Sequence, residues 1–212
     1  MAARPEPAED TAASIRPAQA ADVPALTRVL VRAYMDDPVA VWICGSSSLR
    51  AKTLEALYSA RLHQMLAVEG VWTNDERTCA AVWTPPRHRQ AGIRPSAALL
   101  RCLANPRLTV RLPLLAAGFA GMQRRHPRQP AHWYLSLLGT DPDARGHGLG
   151  SAVLQPVLQR CDRDRVGAYL ESSKPRNLDF YARLHFHTTG ELQLPLGPRM
   201  WPMWREPHEA RA

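Results

Sequence analysis

The chain has 212 residues, of which 45% are hydrophobic and 22% are charged, a composition typical of a globular domain with a substantial core. Its formal net charge is +8, but the arginines that carry this charge are scattered and do not alternate with aromatic residues, which argues against a nucleic-acid-binding protein. No apolar run approaches the roughly 18 to 20 residues that a transmembrane helix needs, so we expect no membrane span.

Residues 1–12 are rich in Ala, Pro and Glu and contain no apolar segment, so we expect a disordered lead-in rather than a secretory signal. A single domain is then predicted over 13–206, followed by a tail over 207–212. The four cysteines form no Cys-x-x-Cys pair, which predicts reduced thiols in a cytoplasmic protein and no metal site. They are Cys44, Cys79, Cys102 and Cys161.

The first half of the chain alternates strand-like and helix-like patterns. In order, these predict a strand over 14–18, helices over 22–36 and 49–68, and a hairpin whose strands are 71–73 and 78–83. Asp22 is the predicted cap of the first helix, with Pro24 in its first turn. The sequence Asp36-Asp37-Pro38 is the predicted stop of that helix.

Residues 87–128 contain four widely spaced prolines and no strand pattern, so a helical insert of short pieces is predicted there. The nearly continuous apolar run at 132–139 predicts a strand that is buried on both faces. A helix over 151–164 follows, in which Pro156 is expected to cause a kink. The remaining patterns predict a strand over 168–172, a helix over 177–184, and strands over 185–191 and 200–205. This order of elements predicts a mixed α/β sheet in a single domain.

A glycine-rich turn joins the apolar strand to the helix that follows it, with the sequence Arg145-Gly146-His147-Gly148-Leu149-Gly150. Glycines let a backbone approach an anion closely, and a helix N-terminus attracts negative charge, so the turn predicts a phosphorylated cofactor. The glycine spacing differs from that of dinucleotide-binding folds, and the lysine of the nucleoside-triphosphate loop is missing. A purely structural turn between strand and helix is the alternative.

The turn matches the pattern Arg/Gln-x-x-Gly-x-Gly/Ala and resembles the pyrophosphate loop of the GNAT N-acetyltransferases, which bind acetyl-CoA. A second segment, Glu171-Ser172-Ser173-x-x-x-Asn177-x-x-Phe180-Tyr181-x-x-Leu184-x-Phe186, is similar to the other half of that family's cofactor site. The resemblance implies a mostly antiparallel twisted sheet flanked by helices, with a helical insert before the CoA-binding strand. Further segments are similar to puromycin N-acetyltransferase, namely 81–86, 148–153, 175–184 and 197–201.

The resemblance also implies how acetyl-CoA is bound. The strand before the loop splays from its neighbour at a bulge, and pantetheine pairs with its backbone, with an N–H near Leu138 facing the thioester oxygen. The loop then holds the pyrophosphate, and Asn177 contacts the pantetheine or diphosphate, although a helix cap is its other interpretation. The residues implied to bind the cofactor are Leu137, Leu138, Gly139, Thr140, Arg145, Gly146, His147, Gly148, Leu149, Gly150, Ser151, Asn177 and Phe180.

Tyr181 is implied to be the general acid, since a tyrosine with a pKa of ~10 stays protonated at neutral pH and can donate to a leaving thiolate. Its alternative is a core aromatic. Glu171 is the first candidate for the base that takes the amine proton, directly or through water, and a structural partner for an arginine is its alternative. His132, at the far end of the preceding strand, is the second candidate, and a position on the surface is its alternative. An amine of low pKa needs no strong base.

The acceptor pocket is expected to come from the first two helices and the insert, with Tyr34, Asp36, Asp37 and Trp42 as the candidate substrate residues. Both aspartates suit a cationic amine, although Asp-Asp-Pro is also an ordinary helix stop. His185 stands where the family often has glycine, so we expect a local difference in that turn.

Together these patterns predict an acetyl-CoA-dependent N-acetyltransferase that acts on a primary amine of a small molecule, with puromycin or a related amine antibiotic as candidate acceptor. The implied mechanism is direct attack of the amine in a ternary complex. No nucleic-acid or membrane partner is expected, and the chain is expected to be a monomer or homodimer. A non-catalytic acyl-CoA-binding regulatory protein and a protein-directed acetyltransferase are the alternatives.

Overall fold

The structure is a computed structural model that describes residues 14–86, 88 and 104–208. The predicted lead-in at 1–12, part of the predicted insert and the last residues of the predicted tail lie outside these ranges. The described helices are α1 Val23–Tyr34, α2 Pro38–Cys44, α3 Ser47–Leu66, α4 Pro106–Thr109, α5 Leu112–Arg125, α6 Leu149–Ala152, α7 Gln155–Asp164 and α8 Leu178–Ala182. Of these helices, none is both long and apolar enough to cross a bilayer.

The strands form one mixed sheet in the order β1-β2-β3-β4-β5-β8-β6, and β7 pairs with β8 beside it. They are β1 Ile15–Pro17, β2 Val71–Asn74, β3 Cys79–Thr84, β4 His132–Thr140, β5 Gly167–Ser172, β6 His187–Thr188, β7 Leu192–Gln193 and β8 Arg199–Arg205. Strands β4 and β5 run parallel, whereas the other described neighbours are antiparallel. The predicted mixed, mostly antiparallel sheet in a single α/β domain is therefore confirmed.

Helices cover both faces of this sheet. Alternate residues of β3 face opposite sides, so Val82 packs with Leu26 and Leu54 of α1 and α3, whereas Trp83 packs with Leu154 and the helices that follow β4. Every residue of β3 is consequently buried. Burial on both faces explains why the central strands have nearly continuous apolar sequences.

The two parallel strands separate halfway along their length. Pairing of β4 with β5 covers His132 to Leu135, and β4 has a bulge at the next position, because Val82 of β3 pairs with Leu137 while Trp83 pairs with Leu135. Ser136 is the extra residue, and its hydroxyl donates to the Val82 carbonyl at 2.9 Å. The bulge redirects β4, so that the ends of β4 and β5 diverge and leave space between them.

Helix α2 was not predicted, because Asp37-Pro38 both ends one helix and begins another. The Asp37 carboxylate accepts from the N–H groups of Val39 and Ala40 at 2.9 and 3.2 Å, and Pro38 occupies the first turn of α2. These are the preferred residues at the start of a helix. The predicted stop is thus correct, but it is followed directly by a new helix.

Two further predictions about helices are wrong in detail. Asp22 precedes α1 but makes no side-chain cap to it, since its carboxylate accepts instead from Arg16 at 2.7 Å and Arg77 at 2.7 Å. The helix predicted over 151–164 is two helices, and Pro156 lies in the first turn of the second, α7, rather than inside one kinked helix. Proline is tolerated in a first turn because its missing N–H has no intrahelical acceptor there.

The end of the chain also differs from prediction. The strand predicted over 185–191 is reduced to β6, and the short hairpin of β7 with β8 was not predicted. His185 has a φ of 66°, the left-handed conformation that glycine adopts without strain. Its ring packs on His208 with centroids 4.1 Å apart. A side chain is therefore accommodated in a glycine-type conformation at this turn.

Candidate active site

A cavity of about 410 Å³ occupies the space between the diverging ends of β4 and β5. Residues of α1, α2, α3, α5 and α8 also line it. Apolar side chains such as Ile43, Leu57 and Phe119 form much of its wall, and polar groups of β4 and β5 converge on it. A largely apolar cavity with a few convergent polar groups is typical of a small-molecule site.

Tyr181 of α8 lines this cavity and is only 8% exposed. Its ring packs against Phe180 and Phe186, with centroids 5.0 and 6.0 Å away. Burial, with smaller contributions from Tyr34 and Asp37, raises the pKa of Tyr181 well above its usual value. Because a raised pKa keeps the hydroxyl protonated, this side chain is a proton donor throughout the neutral range.

Glu171, near the end of β5, lies in the same cavity. Its Oε2 accepts from the hydroxyl of Tyr134 at 2.7 Å, and its Oε1 lies 3.6 Å from Nδ1 of His126. The alternative role predicted for Glu171 was a structural ion pair with an arginine. The contacts of its carboxylate are with Tyr134 and His126 and do not match that role. Tyr134 and His126 instead hold the carboxylate in a fixed orientation toward the cavity.

His132, the second candidate base, connects to Glu171 through His126. The Nε2 atoms of the two histidines are 3.0 Å apart, and Nδ1 of His132 lies 2.8 Å from the Pro130 carbonyl. Since a carbonyl only accepts, Nδ1 of His132 carries the proton, and Nε2 of His126 donates to His132. Burial lowers the pKa of His132, which favours its neutral form. His126 therefore lies between the two candidates, since it hydrogen-bonds to His132 and approaches the Glu171 carboxylate at 3.6 Å.

His126 is a site residue that the sequence did not single out, because it stood out only as part of a basic run, Arg124-Arg125-His126. In the structure it is the cap residue that follows the last turn of α5. A basic side chain is favoured at a helix C-terminus by the helix dipole. His126 and Glu171 are far apart in sequence, so no local pattern links the two residues.

The glycine-rich turn follows β4 and leads into α6, and its residues are not part of the described cavity wall. Gly146 and Gly148 have φ values of 87° and 72°, and a Cβ on either would meet nothing within 4 Å. Their requirement for glycine is therefore conformational rather than steric. A Cβ added to Gly150 would lie 3.5 Å from the ring of Phe180. The turn therefore packs against α8 at this glycine.

Gly139 allows α1 to approach β4 closely. A Cβ there would lie 2.9 Å from Cδ2 of Leu30 and 3.1 Å from Cβ of Ala33, so a larger residue would push the helix away. The close approach brings the last residue of α1, Tyr34, over the strand, where its hydroxyl accepts from the Leu138 N–H at 3.1 Å. The amide expected to face a thioester oxygen thus donates to a tyrosine in this structure.

Asn177 also lines the cavity. It occupies the position before α8 with helical φ and ψ, and its side chain makes no capping hydrogen bond. The cap interpretation of this residue therefore does not match its contacts.

The four candidate substrate residues fall into two groups. Tyr34 and Asp37 line the cavity, and the second oxygen of Asp37 accepts from Ser173 at 2.5 Å. Asp36 points to the surface, where it pairs with Lys174 at 2.7 Å and with Arg176 at 3.1 Å. Trp42 is in the core, and its indole N–H donates to the Pro195 carbonyl at 3.0 Å. Neither Asp36 nor Trp42 is part of the cavity wall.

Comparisons with known proteins agree on the fold. Residues 114–206 match the family described as acetyltransferase (GNAT) domain. A crystal structure described as histone acetyltransferase HPA2 and related acetyltransferase from Corynebacterium glutamicum is 25% identical, covers 94% of this chain and 99% of its own, and superposes with a TM-score of 0.66.

Two more distant structures share the fold. A polyamine N-acetyltransferase from Drosophila melanogaster is 17% identical over 91% of this chain and 98% of its own, with a TM-score of 0.59. The NatC complex bound to Gag peptide and CoA contains a chain that is 13% identical over 92% of this chain and 98% of its own, with a TM-score of 0.51. These structures confirm the predicted GNAT fold, and the match of residues 114–206 to the acetyltransferase (GNAT) family agrees with the predicted enzyme class and with acetyl-CoA as cofactor.

Proposed function

We propose that the chain transfers the acetyl group of acetyl-CoA to a primary amine of a small molecule, by direct attack in a ternary complex at the cavity between β4 and β5. The observation that carries the proposal is the divergence of these two strands at the Ser136 bulge. It brings the amide of Leu138, the phenol of Tyr181 and the carboxylate of Glu171 to one cavity.

Acetyl-CoA supplies an activated acyl group in the form of a thioester. The residues proposed to hold it are the backbone of 137–140, the turn 145–151, Asn177 and Phe180. Two features support this assignment, the open space around the positive-φ glycines of the turn and the contact of Gly150 with the Phe180 ring. Backbone N–H groups in such a turn and in the following helical turn suit a pyrophosphate.

Two side chains are proposed to move protons. Glu171 takes the proton of the amine, directly or through water, while Tyr134 and His126 keep its carboxylate oriented. Tyr181 donates its hydroxyl proton to the leaving thiolate. Because burial raises the pKa of Tyr181, its hydroxyl is still protonated when the thiolate develops and can donate a hydrogen bond to it. Correct orientation of both groups is the main contribution of the protein.

The acceptor is proposed to be a small amine. The apolar wall of the cavity suits a compact organic body, and the carboxylates of Asp37 and Glu171 suit an approaching ammonium group. The Drosophila neighbour is described as a polyamine N-acetyltransferase, and the sequence resembles puromycin N-acetyltransferase, so polyamines and puromycin are both candidate acceptors. The buried thiols Cys79 and Cys161, which form no disulfide in the described part of the chain, support a cytoplasmic location.

A thiol-release screen tests the proposal. Purified protein is mixed with acetyl-CoA and a panel of amines that includes agmatine, spermidine, tyramine, puromycin, arginine and tyrosine, together with an amine-bearing peptide. We expect one free thiol for each acetylated small amine and no release without acceptor. Tight acetyl-CoA binding with no turnover would support the regulatory alternative, acetylation of the peptide alone would support the protein-directed one, and either result would overturn the proposal.

A further inference from the structure

Arg61 of α3 is a buried cation in the wall of the cavity, and it is only 7% exposed. Its guanidinium donates to three neutral oxygens, Oγ1 of Thr84 at 2.7 Å, Oγ of Ser136 at 3.4 Å and Oε1 of Gln64 at 3.5 Å. Within the ranges that the structure describes, no carboxylate forms an ion pair with it. A guanidinium remains charged in proteins, so this cavity contains a positive charge that its own wall does not neutralise.

The other charged groups in the described wall already have partners. Asp37 caps α2 and accepts from Ser173, Glu171 is held by Tyr134 and His126, and Lys174 pairs with Asp36 outside the cavity. Burial of an unpaired charge is costly, and the cost falls when an opposite charge binds beside it. Burial also lowers the pKa of Arg61, in keeping with this cost. The wall therefore favours a ligand that brings a negative charge to Arg61.

The geometry places this charge close to the proposed transfer site. Arg61 touches Ser136, and Glu171 touches Tyr134. Ser136 and Tyr134 are two positions apart on β4, so Arg61 and Glu171 contact nearby positions of the same strand. A short molecule with an amine at Glu171 and an anionic group a few bonds away can contact both sides of the cavity at once.

We propose that the acceptor is an amine that also carries a carboxylate, as an amino acid does, and that Arg61 binds this carboxylate. The inference rests on the proposed acetyl transfer and specifies its substrate class. The planar fork of a guanidinium matches the two oxygens of a carboxylate. Polyamines bring only positive charge, which Arg61 repels, so the same residue selects against them.

Matched acceptor pairs that differ only in a carboxylate test the proposal. They are arginine and agmatine, tyrosine and tyramine, and tryptophan and tryptamine. For the wild-type protein we expect kcat/KM for the acid to exceed that for its decarboxylated partner by about 10- to 100-fold, the value of one charge-assisted interaction. Equal values, or a preference for the decarboxylated amines, would overturn the proposal.

Substitutions of Arg61 assign the preference to this residue. We expect Arg61→Met, which replaces a buried charge by an apolar side chain of similar length, to bring the ratio to about one or below. Arg61→Lys should keep part of the preference, because it keeps the charge but loses the fork. Lys52→Met removes a charge from an exposed position of the same helix and should leave the ratio unchanged.

The outcomes separate this inference from the proposed function. Acetylation of amines with no dependence on the carboxylate, or a ratio that Arg61→Met leaves unchanged, would overturn the inference alone. Failure to acetylate any amine would overturn both. If Arg61→Met does not fold, as judged by thermal unfolding, the wild-type ratio and the Arg61→Lys ratio decide the question.

Discussion

Tyr34→Phe removes the hydroxyl that occupies the Leu138 amide while it retains the ring that packs edge-on against Tyr58, 5.4 Å between centroids. The Leu138 N–H donates to this hydroxyl at 3.1 Å. If the thioester oxygen of acetyl-CoA takes the same donor, binding must first displace the tyrosine. A neutral hydrogen bond contributes about 0.5–1.5 kcal/mol net. We therefore expect Tyr34→Phe to bind acetyl-CoA about two- to tenfold more tightly than the wild type.

Equilibrium titration with acetyl-CoA and with CoA measures this effect. CoA has no thioester oxygen, so the gain in affinity should appear for acetyl-CoA and be small for CoA. Tyr58→Phe is the matched control, since it removes a hydroxyl from the same cavity wall but not from the Leu138 amide, and it should leave the ratio of the two affinities unchanged. Weaker acetyl-CoA binding by Tyr34→Phe, or unchanged binding with a large loss of kcat, would refute this reasoning.

Three further substitutions test other parts of the account. Gly148→Ala places a side chain at a φ of 72°, which costs about 1–2 kcal/mol. The KM for acetyl-CoA should therefore rise about fivefold or more. The control Gly190→Ala, at a site open to solvent, should leave this KM unchanged. His126→Gln should lower kcat about tenfold or more with little change in KM for acetyl-CoA, since it disorients Glu171; an unaltered kcat would contradict this. Arginine contacts lower the pKa of Asp22 far below its usual value, so its contribution to stability is complete above about pH 4 and is lost as pH falls through the folded pKa. Asp22→Asn should therefore lower the free energy of unfolding by about 1–2 kcal/mol at pH 7, and by less in acid, in denaturant titrations; an equal loss at both pH values would contradict it.

The parts of the fold that the sequence predicts well are those whose pattern is local. The apolar run of β4, the glycine turn and the strand that contains Glu171 each have a local pattern of residue type or spacing. Strand β3 is predicted equally well, because burial on both faces gives a continuous apolar run.

The parts that the sequence misses depend on packing between distant segments. Arg61 follows an ordinary helical pattern, and its burial beside Ser136 arises only when α3 packs over β4. His126 reaches Glu171 across 45 positions of the chain, since 171 − 126 = 45. Trp42 and Asp36 are close in sequence to residues that line the cavity. However, Trp42 packs in the core, and Asp36 forms an ion pair at the surface. Proximity in sequence therefore did not predict which of these residues line the cavity.

The central claim is that Tyr181 protonates the leaving thiolate in the cavity between β4 and β5. Its most direct test is the rate of thiol release by Tyr181→Phe, measured with saturating acetyl-CoA and acceptor beside the affinity for acetyl-CoA. The account predicts that kcat falls about 100-fold or more while the dissociation constant changes less than about threefold. A kcat close to that of the wild type, at equal affinity, would contradict it.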